Sequence, residues 1–200
     1  MPLIALPDGY YDLPPGKLAN LVTCLEMLAA PQRAWLGLPA DVVLTRVDGS
    51  DLDAYRQIFR AVGSDLLWFS RMLMPDDRLA EILNNPQIDS FVLRRGSQAI
   101  GLLELNFDHP TDCELAFFGL VPGLVGQGLG RALMDQALQR AWARGIARLW
   151  VHTCSFDSPQ ALPFYIRSGF VVYQRMVELH DDPRVSGKLP RDAAPHVPIL

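Results

Sequence analysis

The stretch Leu120-Val121-Pro122-Gly123-Leu124-Val125-Gly126-Gln127-Gly128-Leu129-Gly130-Arg131-Ala132-Leu133 decides the fold. It reads as a strand ending at Pro122, a glycine-rich turn and the first turn of a helix. Apolar residues continue at Leu129, Leu133, Ala137, Leu138, Ala141 and Trp142, which is helical spacing. Glycines at alternate positions let a ligand approach the backbone and aim N–H groups at one point, where the helix N-terminus adds partial positive charge. Such a cradle suits phosphate or pyrophosphate. A Walker A loop is excluded, because Leu129 and Gly130 stand where Lys and Ser/Thr are needed. A dinucleotide fingerprint is excluded too, since Arg131 replaces its third glycine. Taken alone, the loop is also compatible with a helix entry that binds nothing.

A second segment narrows the reading. Residues 147–153 form a buried-strand pattern. Ser158 or Asp157 then caps a short helix with Pro159 at its first position. Ala161, Phe164 and Tyr165 share the inner face, and Gly169 ends the helix before the strand Phe170–Tyr173. Together the two segments resemble the GNAT N-acetyltransferase superfamily. Pro122, Gly128 and Gly130 fall on its loop pattern Gln/Arg-x-x-Gly-x-Gly/Ala with a strand-ending Pro six residues earlier. Ser158, Ala161, Phe164, Tyr165, Gly169 and Phe170 fall on its block Asn-x-x-Ala-x-x-Phe/Leu-Tyr-x-x-x-Gly-Phe. Two departures stand out: Val125 takes the Gln/Arg position, and Ser158 replaces Asn.

The resemblance implies an α/β fold of the α+β type. Its mixed, mostly antiparallel central sheet is flanked by helices, and the strands at 113–121 and 147–153 splay to form an acetyl-CoA cleft. It implies a cofactor site from Leu120, Val121, Val125, Gly126, Gln127, Gly128, Leu129, Gly130 and Arg131, with Ser158 and Phe164 along the pantetheine arm. A backbone N–H near Leu120 would polarise the thioester carbonyl. Tyr165 is the implied acid, its other reading being packing beside Phe164. Glu114 is the implied base. Glu104, on the neighbouring strand, is a candidate for sharing the acceptor cleft and binding substrate, or else a solvated strand charge. Trp68 and Phe69 are candidates for an acceptor wall or for core. His152 reads as a core histidine and His109 as a turn residue.

Composition bounds the rest. Half of the 200 residues are hydrophobic, enough for a core. The net charge of −4, with no basic cluster, argues against nucleic acid. No apolar run reaches membrane-spanning length, and the N-terminus lacks a signal-peptide pattern. Three scattered cysteines, Cys24, Cys113 and Cys154, fit a reducing, cytoplasmic setting and no metal motif.

Residues 1–40 read as an extension carrying one amphipathic helix over 17–30, through Leu18, Leu21, Val22, Leu25 and Leu28. Residues 41–180 read as the acetyltransferase domain, and 181–200 as an irregular Pro-rich tail. Within the domain, 42–47 reads as a strand. Ser50 and Asp53 suggest a capping box for a helix burying Tyr55, Ile58, Phe59 and Val62, and Pro75 opens another helix. Gly96-Ser97 turns a hairpin between two strands.

The expected function is acetyl-CoA-dependent transfer to a small-molecule or peptide amine in a ternary complex, without metal. A non-catalytic acyl-CoA sensor is the alternative, and a non-amine acceptor a weaker third. A second copy of the chain is a further candidate partner.

Overall fold

The computed structural model describes residues 7–124 and 126–200. Seven strands form one sheet in the order β2-β3-β4-β5-β6-β1-β7. They are β1 (Lys17–Met27), β2 (Val42–Arg46), β3 (Ile88–Arg95), β4 (Gln98–Asn106), β5 (Asp112–Leu120), β6 (Arg148–Cys154) and β7 (Val171–Asp181). Every neighbouring pair is antiparallel except β5 and β6. That agrees with the mixed, mostly antiparallel sheet expected.

The segment 17–30 corrects the helix reading, since Lys17–Met27 is a strand between β6 and β7. Leu18, Asn20, Val22 and Cys24 alternate into one buried face, while Leu21 and Leu28, both part of the supposed helical stripe, are 65% and 66% exposed. Residues placed before the domain therefore pair within its sheet.

Helix α1 (Leu52–Gly63) buries Tyr55, Ile58, Phe59 and Val62 as its periodicity predicts. Its cap is Asp51, whose side chain accepts the Ala54 N–H at 2.9 Å; Ser50 and Asp53 do not form the box. A 3-10 turn (Ser64–Leu66) and the short helix α2 (Ser70–Leu73) carry the aromatic segment round to α3 (Asp76–Asn84). These elements cover one face of the sheet. Gly119 of β5 lets them come close, because a Cβ there would lie 2.4 Å from Val62 Cγ1.

The other face is covered by α4 (Leu129–Ala143) and α5 (Ala161–Ser168). Leu133, Ala137, Leu138 and Ala141 of α4 are fully buried against Leu103, Leu105 and Leu149. Gly169 closes α5 at φ +108, as expected. The start of α5 differs. Gln160, not Ser158 or Asp157, flanks its first residue, and Asp157 instead accepts from Thr153 Oγ1 (2.7 Å) and Cys154 N–H (3.0 Å).

Past β7 the chain lacks regular structure but is pinned. Leu189, Ala193 and Ala194 pack on Leu18, Leu67 and Phe156.

Candidate active site

The sheet opens where the parallel pair β5–β6 ends. β5 and β6 pair from Asp112↔Arg148 to Glu114↔Trp150 and no further. Beyond that point a cleft of about 1360 Å³ lies between them. The Val121 N–H bonds Ile100 O of β4 at 3.0 Å. Backbone groups alternate sides along an antiparallel strand, so the N–H groups of Leu120 and Phe118 face the gap.

The glycine loop closes one end of the cleft. Gly128 precedes α4 at φ +81, with nothing within 4 Å of where its Cβ would be. Its carbonyl takes the Arg131 and Ala132 N–H groups. The Leu129 and Gly130 N–H groups meet no acceptor among the described residues, as the first turn of a helix requires. Gly126, Gly128, Gly130 and Arg131 line the cleft, with Arg167 of α5 also on its wall. Gln127 turns away: its amide donates to Gly123 O at 3.0 Å and braces the loop. The Leu129 side chain is buried in the core, and Val121 packs against the core from its edge. Val125 lies outside the described residues.

Phe164, Tyr165, Ser158 and Leu120 form the middle of the cleft. Phe118 and Phe164 stack at 5.6 Å, and Tyr165 lies edge-on to Phe164 (5.8 Å) and Phe170 (5.9 Å). Burial pushes the Tyr165 phenol well above its ordinary value, and the nearby Asp157 charge adds to this. Ser158 accepts the Gln160 N–H at 3.3 Å and so bends the chain into α5.

The far end is polar. Glu114 lines it, with His152 Nδ1 3.6 Å from its Oε1. His152 corrects the core reading, because its side chain is half exposed. Leu149, Val151 and Thr153 take the inward positions of β6 and leave His152 with Trp150 and Cys154 on the other parity. The carboxylate of Glu114 raises the His152 pKa above the ordinary 6.5.

Glu104 does not join Glu114 in the cleft. It is fully buried, accepting from Tyr55 Oη at 2.9 Å and Ser90 Oγ at 2.8 Å, and pairing with Arg71. A carboxylate so satisfied is a structural anchor. What it holds into the cleft is Arg71, whose guanidinium lies 5.2 Å over the Phe117 ring.

Trp68 and Phe69 both line the cleft, and Trp68 also packs on Phe59 (5.6 Å) and Phe117 (5.2 Å). Asn20, Glu178 and His180 also line the cleft, from β1 and β7. The helical reading of 17–30 hid Asn20, and with it the cross-strand partner Glu178. His109 is an exposed turn residue, as expected. Among the described residues no cluster of His, Cys, Asp and Glu suits a metal ion, and no helix is long and apolar enough to cross a membrane.

A mixed sheet opened between its parallel strands beside a glycine-rich helix entry is the architecture of a class of acyltransferase domains, and solved structures of that class superpose on it. The ribosomal-protein-S18-alanine N-acetyltransferase of Escherichia coli matches at TM-score 0.55 and 17% identity over 70% of this chain and 93% of its own. An aminoglycoside acetyltransferase from an uncultured soil metagenomic sample, in complex with sisomicin, matches at 0.55 and 17% over 64% and 88%. A conserved protein of unknown function from Staphylococcus epidermidis matches at 0.57 and 16% over 83% of this chain. The chain spans 63% of that protein's length. No curated protein matches by sequence. The model of the acetyltransferase (GNAT) family matches residues 55–170, more than half of the chain, and the protein belongs to that family.

Proposed function

We propose that the chain transfers an acetyl group from acetyl-CoA to an amine, both bound in the cleft at once. The observation that carries this is the loss of β5–β6 pairing after Glu114, directly beside a helix entry whose Leu129 and Gly130 N–H groups meet no acceptor among the described residues. The residues present fit an anionic, extended thioester. Open space at Gly128 admits phosphate oxygens to the Leu129 and Gly130 N–H groups. Arg131 and Arg167 place positive charge on the same wall. The family's co-substrate supplies an acyl group on a thiolate that leaves readily.

The chain supplies the rest. The N–H of Leu120, or of Phe118 two residues earlier, donates to the developing oxyanion. Tyr165 gives its phenolic proton to the sulfur, and its raised pKa keeps that proton in place at neutral pH. The amine must lose a proton. Glu114 stands six residues before Leu120, about 20 Å along an extended strand, too far for direct contact at that carbonyl. His152 stands two residues past Trp150, the last paired position of β6, with its Nδ1 3.6 Å from Glu114 Oε1. The proton therefore passes through water and His152 to Glu114.

Calorimetry with acetyl-CoA and a CoA-release assay over an amine panel test the reading together. The expected result is tight binding with release only when amine is present, and acetylated amine in the mass spectrum. Binding without release across the panel would turn the protein into an acyl-CoA sensor. A reducing, cytoplasmic setting and independence of nucleic acid, membrane and metal belong to the same proposal.

A further inference from the structure

Asn20 lies on β1 with 4% of its surface exposed and lines the cleft. Leu18, Val22 and Cys24 share its face of the strand, so an amide stands where packing favours an apolar side chain. A buried amide is costly unless its groups are paired. Nδ2 donates to Oε2 of Glu178, directly across on β7, at 3.0 Å. That contact sets the orientation of the amide. Oδ1 has no donor among the described residues.

His180 follows on the same face of β7 and also lines the cleft. Its Nδ1 lies 3.0 Å from the Asp181 carbonyl, and its ring sits between Phe69 (5.3 Å) and Phe156 (6.2 Å). A carbonyl only accepts, so Nδ1 donates in that contact, and in the Nδ1–H tautomer Nε2 is an acceptor. Asn20 Oδ1, the Glu178 carboxylate and His180 Nε2 are thus three acceptors on the cleft wall carried by β1 and β7. Of the arginines on its wall, Arg71 is engaged with Glu104 and Arg33 with Asp135.

A primary ammonium carries three donors and a positive charge. We propose that Asn20, Glu178 and His180 form a subsite for a second ammonium of the acceptor, which makes the substrate a diamine or longer polyamine. The inference rests on the amine-transfer reading. The reacting amine sits in the β5–β6 gap. Asn20 and Glu178 lie one and two strands beyond β6, an offset of about 5–10 Å across the sheet. One nitrogen cannot serve both places; a molecule with two can.

The test compares putrescine, 1,8-diaminooctane and spermidine with n-octylamine. The parent should acetylate the best diamine or spermidine with kcat/KM at least about tenfold above n-octylamine. Asn20→Leu and Glu178→Gln should each bring that ratio close to one while acetyl-CoA affinity is retained. Calorimetry of 1,8-diaminooctane and spermidine on the protein saturated with CoA reads the subsite without chemistry. Binding there that Asn20→Leu weakens about tenfold supports the subsite even if no CoA is released, and then the transfer reading falls instead. Equal use of diamines and n-octylamine overturns the subsite and leaves monoamine transfer standing. Absent diamine binding, or binding unchanged in both variants, overturns it as well.

Discussion

The Tyr165 side chain is held by rings rather than by polar contacts, with Phe118, Phe164 and Phe170 around it. Tyr165→Phe keeps those contacts and removes only the acidic proton. Because a thiolate leaves readily, the loss should fall at the low end of general acid catalysis, about a hundredfold in turnover, with acetyl-CoA affinity retained. Parent-like turnover from pH 6 to 9, in a chemistry-limited step, would return Tyr165 to packing alone. The neighbouring pair makes a titration prediction. The Glu114 carboxylate stabilises the imidazolium of His152, so in the NMR titration His152 should have its midpoint above 6.5 and shift down in Glu114→Gln. The sign for stability follows. This pair stabilises the fold below the unfolded-state pKa of about 6.5, and its contribution is lost as pH rises through the folded value. A midpoint unchanged by Glu114→Gln would uncouple the two groups. That Tyr165 and Glu114 line the cleft was legible because each sits in a motif or on a strand leading to one. His152 was not, since its flanking Val151 and Thr153 look like core. Strand parity, which puts them opposite to it, was the signal available.

At the scale of elements, the loop–helix unit was readable because its glycines and the α4 periodicity agree. Gly128 shows what the loop needs. At φ +81 a β-branched residue is strained, and its side chain would point into open cleft space rather than into the protein. Gly128→Val should therefore weaken acetyl-CoA binding at least tenfold, about 1.4 kcal/mol, while the protein stays folded. Unchanged affinity by calorimetry in a folded variant would remove the loop from the cofactor site. Strand β1 was misread for a physical reason. A strand enclosed by β6 and β7 carries apolar residues on both faces, and Leu18, Leu21, Val22, Leu25 and Leu28 then mimic a helical stripe. Its true period shows only in burial. The cost was functional, because Asn20 and the cleft wall it shares with Glu178 depend on β1 being a strand. Glu104 was misplaced for a related reason: a strand sequence does not say which carboxylate a helix will cover, and α1 covers this one with Tyr55.

Across the whole molecule, the tail past β7 is where local sequence says least and tertiary contact does most. Its prolines predict irregular chain, which it is, yet one buried ion pair organises it. The Arg184 side chain is 1% exposed and that of Asp182 is 2% exposed. Arg184 donates through Nε (3.0 Å) and Nη2 (2.8 Å) to the two oxygens of Asp182. Its Nη1 reaches the carbonyls of Ala193 (3.1 Å), Ala194 (3.2 Å) and Val197 (2.8 Å). One guanidinium thus ties the end of β7 to residues about ten positions later, and the tail it folds packs behind Leu67 and Phe156, next to the cleft wall. Arg184→Met leaves Asp182 buried without its cation. Breaking a buried pair on one side typically costs about 3–5 kcal/mol. For a chain of this length, a loss near 4 kcal/mol lowers the melting temperature by roughly 8–16 °C. Asp182→Asn combined with Arg184→Met removes the stranded charge and should recover part of that loss. The pair also fixes a pH window. Arg184 holds the Asp182 carboxyl below the ordinary carboxylate range, so its stabilisation is present above the unfolded value of about 3.9 and is lost as pH falls through the folded one. Thermal melts of the parent should decline through that acid range more steeply than those of the double variant. A single Arg184→Met variant melting within about 2 °C of the parent would mean that the tail is held by its apolar contacts and not by this clamp.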